Sequence, residues 1–104
     1  MGPQEIEQQI KSSRLLVGYF SHDECQVCKV LKPKVKALIE EYPGAEFSYI
    51  NIKELPQISG QYLVFAVPTL IIFSDGKEQR RYSRHFSVED LRRDLDKLHT
   101  LIFE

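Results

Sequence analysis

The segment LLVGYFSHDECQVCK, residues 15–29, organises this chain, because it holds both of the cysteines with only two residues between them. The apolar run at 15–20 is typical of a strand buried on both faces, and the polar residues after it predict a turn. Residues 29–42 then carry apolar side chains at helical spacing, which places Cys25 at or just before the first helical turn and Cys28 one turn inside. Free N–H groups and the helix dipole stabilise a thiolate there, so the pattern indicates a redox-active dithiol.

The bulk composition is that of an ordinary globular protein, with 104 residues, 42% hydrophobic and 28% charged, and a net charge of −1. The length predicts a single domain over residues 1–104, which we expect to be monomeric. The charge balance favours neither nucleic acid nor a membrane surface as a partner. Because no signal peptide or membrane-spanning run is recognisable, we expect the cytoplasm, where a lone close pair of cysteines is typical of a catalytic or metal-binding site.

The remaining patterns predict an α/β protein in which helices cover both faces of a mixed four-stranded sheet. The crossover through the cysteine-bearing helix should make the first two strands parallel neighbours. Asp75-Gly76 signals a hairpin between the last two strands, and Ser87 with Asp90 resembles a capping box that starts a final helix. Helical or strand periodicity predicts helices at 4–13, 29–42 and 55–62 and strands at 15–20, 46–52, 69–74 and 78–83.

Basic side chains dominate the first half of the cysteine-bearing helix. We interpret them as a solvated helix face. They are Lys29, Lys32, Lys34 and Lys36.

Taken together, these motifs resemble those of the thioredoxins, and the resemblance covers nearly the whole chain. The two cysteines are followed by Lys29 and, five residues after Cys28, by Pro33. Val67-Pro68-Thr69 opens an apolar strand about forty residues downstream, like the cis-proline loop of that family. Asn51-Ile52 ends a strand, and Asp75-Gly76-Lys77 stands where the family turns its hairpin. The resemblance implies the thioredoxin fold.

The resemblance also implies a thiol–disulfide oxidoreductase in which Cys25 attacks a protein disulfide and Cys28 resolves the mixed disulfide. The backbone of Val67, before a cis Pro68, would pair with the substrate. No bound cofactor or metal is expected, and a partner of the thioredoxin reductase type would supply reducing equivalents. The substrate-binding residues implied are Glu24, Gln26, Ala66, Val67, Pro68 and Arg84.

Three positions depart from the family pattern. Glu24 stands where thioredoxins carry an aromatic residue before the first cysteine, and Arg84 where they carry a loop glycine. The strand before the motif has only Gly18 and Tyr19 at the places where thioredoxins bury an acid. The proton acceptor for Cys28 is therefore unassigned, and Tyr19 is the first residue to test.

Two other interpretations remain open at this point. The chain could be a non-catalytic thioredoxin-like module whose cysteines sense redox state, as the missing aromatic and acid suggest. It could also hold zinc, because His22, Cys25 and Cys28 supply three ligands, with His85 as a candidate fourth.

Overall fold

The apolar run of the central segment forms strand β1 (Leu16–Ser21), which is buried along its whole length in the computed structural model. The structure describes residues 2–83 and 86–104. The other elements are helices α1 (Pro3–Ser12), α2 (Gln26–Ile39), α3 (Pro56–Gln61) and α4 (Val88–Phe103), with strands β2 (Glu46–Asn51), β3 (Thr69–Ser74) and β4 (Lys77–Ser83).

The strands form one mixed sheet in the order β2-β1-β3-β4. Strand β2 pairs parallel to β1, as the crossover through α2 predicts, and β3 pairs antiparallel to both β1 and β4. The predicted fold class is confirmed, and β1 lies in the interior of the sheet because its residues are apolar on both faces.

Alternate residues of β1 supply two separate cores, one on each face of the sheet. Val17 and Tyr19 pack against α2 and α4, while Leu16 and Phe20 pack against α1 and α3. Within the described residues, no helix combines the length and apolar character that crossing a bilayer requires.

The hairpin and the last helix follow the sequence closely. Asp75 and Gly76 both have positive φ, at 51° and 84°, which suits the tight turn that joins β3 to β4. The Ser87 side chain accepts from the Asp90 amide, and the Asp90 side chain accepts from the Ser87 amide, so the predicted capping box is present.

Helix α2 begins and ends earlier than the periodicity predicts. It starts at Gln26 because Cys25 accepts from an amide of the first turn and so acts as the cap. It ends at Ile39 because Pro43 disfavours the helical conformation at Tyr42, and the amides of Glu41 and Tyr42 bond only three residues back. Tyr42 still packs in the core, at 8% exposure.

We expect Ser87→Ala to lower the free energy of unfolding by about 1 kcal/mol, because it leaves an amide of the first turn of α4 without its acceptor. Urea denaturation measures the change. Thr100→Ala removes a hydroxyl from an exposed position of the same helix and should leave the midpoint nearly unchanged. Equal losses in the two variants would contradict a capping role for Ser87.

Candidate active site

The two cysteines lie at the N-terminus of α2 and are joined by a disulfide. Cys25 caps the helix, and the Cys28 amide donates to Cys25 Sγ at 3.2 Å. The sulfur of Cys25 thus occupies the place where a helix N-terminus stabilises negative charge. Cys28 is only 3% exposed and packs in the core, whereas Cys25 is half-buried at the surface. An external disulfide can therefore approach Cys25 far more readily than Cys28.

The loop before β3 brings a second part of the site to the cysteines. The Val67–Pro68 peptide bond is cis, as the family resemblance implies. Val67 and Cys25 are both partly buried against the same core cluster, and Pro68 is buried. The Thr69 hydroxyl donates to the Ala66 carbonyl at 2.7 Å and ties the loop to the strand that follows it.

An arginine from β4 holds the start of this loop. The Arg81 guanidinium donates to the carbonyls of Tyr62 and Leu63 at 2.7 and 2.9 Å, and Glu78 pairs with the same guanidinium. The loop is thus anchored at both ends by side chains of the β3–β4 hairpin.

Tyr19 occupies the space beneath the cysteines. Its side chain is fully buried, and its hydroxyl donates to the Cys28 carbonyl at 3.0 Å. Burial, with a smaller contribution from Tyr49, raises the pKa of Tyr19 to about 12. Gly18, the other candidate position, faces the opposite core, where an added Cβ would meet Phe20 at 3.1 Å. Because its pKa is so high, Tyr19 keeps its proton at neutral pH, and its hydrogen bond anchors the helix. It does not serve as a base.

A small pocket of about 150 Å³ borders Cys28 on the side of β2. Tyr49 pairs with Tyr19 in the register of β1 and β2, and the two rings stack with centroids 6.1 Å apart. The Lys32 ammonium lies 4.0 Å from the centroid of the Tyr49 ring. Cys28 thus contacts a polar recess although its side chain is almost fully buried. The lining residues are Ser21, His22, Asp23, Cys28, Lys29, Lys32 and Tyr49.

Glu24, in the place of the family's aromatic residue, is neutralised by a neighbour. Its exposed carboxylate forms an ion pair with Lys53, which follows β2. The hydrogen bond from Lys53 holds the pKa of Glu24 below its usual range. Because the positive charge of Lys53 offsets the negative charge of Glu24, Glu24 disfavours the thiolate form of Cys25 less than an isolated carboxylate would.

The remaining sequence predictions for the site fall in three groups. Gln26 is exposed in the first turn of α2, and Ala66 is half-exposed in the loop. Arg84 and His85 lie outside the described residues. In the part of the chain that the structure describes, no cluster of three or more His, Cys, Asp or Glu residues could hold a metal ion, and both cysteines are in the disulfide.

Two residues near the site were not recognised in the sequence. Lys53 pairs with Glu24 across 29 positions, and no local pattern indicates such a contact. Phe65 precedes the cis-proline loop and is 84% exposed. In the sequence it is one aromatic residue in a segment without helical or strand periodicity, and such a residue by itself indicates neither burial nor a function.

A wider hollow of about 750 Å³ is not part of the site. It follows the outer face of one helix, α4, from Glu89 to Leu101, and neither cysteine nor Pro68 lines it.

Comparisons with known proteins agree with this geometry. Residues 2–97 match the family model for thioredoxin. A thioredoxin-like protein of Bacillus subtilis, YdfQ, is 30% identical over 92% of this chain and 86% of its own length. The thioredoxin of Chlamydia trachomatis is 39% identical over 69% of this chain and 70% of its own. The structure of thioredoxin 1 from Thermosipho africanus superposes with a TM-score of 0.78 at 30% identity, covering 83% of this chain and 96% of that one.

We expect Tyr19→Phe to leave the pH dependence of mixed-disulfide resolution unchanged between about pH 6.5 and 9.5, because a group with a pKa of about 12 stays protonated over that range. In both proteins the rate should rise toward an ordinary thiol pKa of about 8.5. Rapid-quench measurement of resolution at each pH makes the comparison.

Tyr42→Phe is the matched control, because the pKa of Tyr42 is also raised to about 12, by burial and Asp96, at a site remote from the cysteines. Both variants should lose roughly 1 kcal/mol of stability with their hydrogen bonds. A flat pH profile in the wild-type protein that becomes pH-dependent in Tyr19→Phe, and not in Tyr42→Phe, would mean that Tyr19 does transfer the proton.

Proposed function

This chain belongs to the thioredoxin family and is a thiol–disulfide oxidoreductase, and we propose that it reduces protein disulfides through Cys25 and Cys28. The observation that carries the proposal is the Cys25–Cys28 disulfide at a helix N-terminus, with the cis Val67–Pro68 loop packed against the same cluster. A redox sensor would also use an accessible first cysteine with a second one nearby, so the cis Val67–Pro68 loop is the feature that favours an enzyme that binds and reduces a disulfide substrate.

In the first step the Cys25 thiolate attacks one sulfur of the substrate disulfide. The substrate S–S bond breaks, a Cys25–substrate disulfide forms, and the other substrate sulfur leaves as a thiolate that takes a proton from water. The Cys28 amide and the helix dipole favour the attacking anion, and Lys53 reduces the opposing effect of Glu24.

In the second step Cys28 resolves the mixed disulfide. Its thiolate attacks Cys25 Sγ, which forms the internal disulfide and releases the second substrate thiolate, so that two electrons pass to the substrate. The proton of Cys28 leaves by water in the pocket beside it, since Tyr19 cannot accept it at neutral pH. The bond from Tyr19 to the Cys28 carbonyl keeps the first turn of α2 in place during this exchange.

The substrate segment is proposed to lie across the cis-proline loop. The backbone of Val67 would pair with it as an added strand, with Ala66 and Pro68 shaping the groove. Gln26 and Glu24 would border the other side, where both are exposed. Arg84 completes this set on the strength of the family resemblance.

The cycle closes when a reductase restores the dithiol. We propose a thioredoxin reductase as the electron donor and the cytoplasm as the compartment, since thiols are kept reduced there. One chain supplies both cysteines and the cis-proline loop, which supports action as a monomer without a bound cofactor.

We expect Cys28→Ser to accumulate a stable mixed disulfide with substrate proteins, because the attacking thiol remains and the resolving thiol is gone. Non-reducing gel electrophoresis after incubation with oxidised insulin detects the adduct. Cys25→Ser is the matched control, since it keeps one cysteine but should trap almost nothing. Equal trapping by the two variants would mean that the burial of Cys28 does not set the order of attack.

A thioredoxin reductase with NADPH should reduce the Cys25–Cys28 disulfide, and the loss of NADPH absorbance on adding insulin measures the coupled cycle. Dithiothreitol in place of the reductase separates the two proposals. Insulin reduction with dithiothreitol but with none of a panel of reductases would remove the reductase as donor and leave the oxidoreductase intact.

A further inference from the structure

Helix α2 carries three lysines along one side, next to the pocket that borders Cys28. Lys29, Lys32 and Lys36 are spaced by three and four residues, so they share one side of the helix. We call them the lysine face. The helix from Gln26 to Ile39 contains no acidic residue, so nothing on it offsets these charges.

The three lysines are unpaired among the residues that the structure describes. Within residues 2–83 and 86–104, none of the three lysines forms a salt bridge. Lys32 instead contacts an aromatic ring, since its ammonium lies over Tyr49. The salt bridges of the described residues use Lys53, Arg80, Arg81, Arg92 and Arg93 instead. A chain with a net charge of −1 therefore presents a local excess of positive charge here.

The position of the lysine face connects it to the reaction. Lys29 and Lys32 line the same pocket as Cys28, and Lys36 lies one turn beyond Lys32. From Lys29 to Lys36 the face extends about 10 Å along the helix axis. An extended peptide covers that distance in about three residues. A group attached close to a disulfide undergoing exchange can thus reach these lysines.

Acidic residues at both ends limit what this face can bind. Asp23 lies at the pocket end, and Glu40 and Glu41 follow the helix at the other. A nucleic acid strand would carry its phosphates past these carboxylates, whereas a short acidic stretch of protein fits between them. Charge complementarity thus favours a few carboxylates over a long polyanion.

We propose that the lysine face binds Asp and Glu side chains located within about three residues of the disulfide in a protein substrate. The inference rests on the proposed function and deepens it, since it names the substrates that the enzyme prefers. Lys32, held over Tyr49, is the specificity-determining residue, and Lys36 extends the contact.

The test uses three synthetic peptides that share one disulfide and differ only in flanking Glu, Gln or Lys residues. Stopped-flow mixing with the pre-reduced enzyme gives a second-order rate constant for each. We expect the Glu peptide to react about tenfold faster than the Lys peptide at low ionic strength, with the Gln peptide between them. The ratio should fall to about two at roughly 0.5 M salt.

Lys32→Gln/Lys36→Gln should reduce the Glu-to-Lys ratio at least about threefold, with the rate for the Gln peptide in the same variant as the reference for each. Lys77→Gln/Lys97→Gln changes the net charge equally at exposed positions on β4 and α4, and it should keep the preference. Equal rates for the three wild-type peptides, or an equal loss in the control variant, would overturn the inference.

Binding without chemistry separates this inference from the proposed function. A Glu peptide without cysteines, titrated into the oxidised chain, should shift the NMR signals of Lys32 and Lys36 and not those of Lys77. If the enzyme reduced none of the peptides but these shifts appeared, the proposed function would fail and the lysine face would stand. If reduction proceeded without the shifts, the lysine face would be rejected and the oxidoreductase would stand.

Discussion

Burial of β1 on both faces is the constraint on which the rest of the structure depends. All six of its residues are buried, so β2 and β3 flank it and helices cover both of its sides. Its carboxyl end then leads through a short turn into α2, and that exit places Cys25 at the cap of the helix. The thiol chemistry follows from this position, since free amides at a helix N-terminus favour an anion.

Tyr19, which stands where thioredoxins bury an acid, changes how Cys28 can lose its proton. A carboxylate below Cys28 could accept a proton, but a phenol whose pKa is about 12 cannot do so at neutral pH. In exchange, Tyr19 gives a hydrogen bond to the Cys28 carbonyl and stacks on Tyr49, so the site gains mechanical support from the sheet. In the proposed mechanism the proton of Cys28 leaves through the polar pocket on the side of β2, which charged side chains line.

The rim beside Cys25 and the lysine side of α2 differ in charge, because the lysine at the rim is paired with a carboxylate and, within the part of the chain that the structure describes, the lysines on α2 are not. Lys53 is paired with Glu24, which leaves the rim beside Cys25 close to neutral. On α2, three lysines that form no salt bridge with any described residue begin one residue after Cys28. Screening by water and salt weakens both effects, but a cation beside a partly enclosed pocket is screened less than one on an open rim. Recognition of substrates by charge is the role that we propose for these lysines.

Local patterns in the sequence were sufficient for the order of elements, the parallel and antiparallel pairing, the Asp75-Gly76 hairpin and the capping box at Ser87, because each depends on residues that are close in the chain. The end of α2 was predicted less well, since the apolar stripe continues to Tyr42 while Pro43 stops the helical backbone. Only the tertiary structure decided that Tyr19 rather than Gly18 lies under Cys28, that Lys53 neutralises Glu24 and that Lys32 lies over Tyr49. These contacts join residues from different elements or from the turns beside them. They depend on which elements become neighbours and on which side of the sheet each side chain is directed, and no local pattern specifies either.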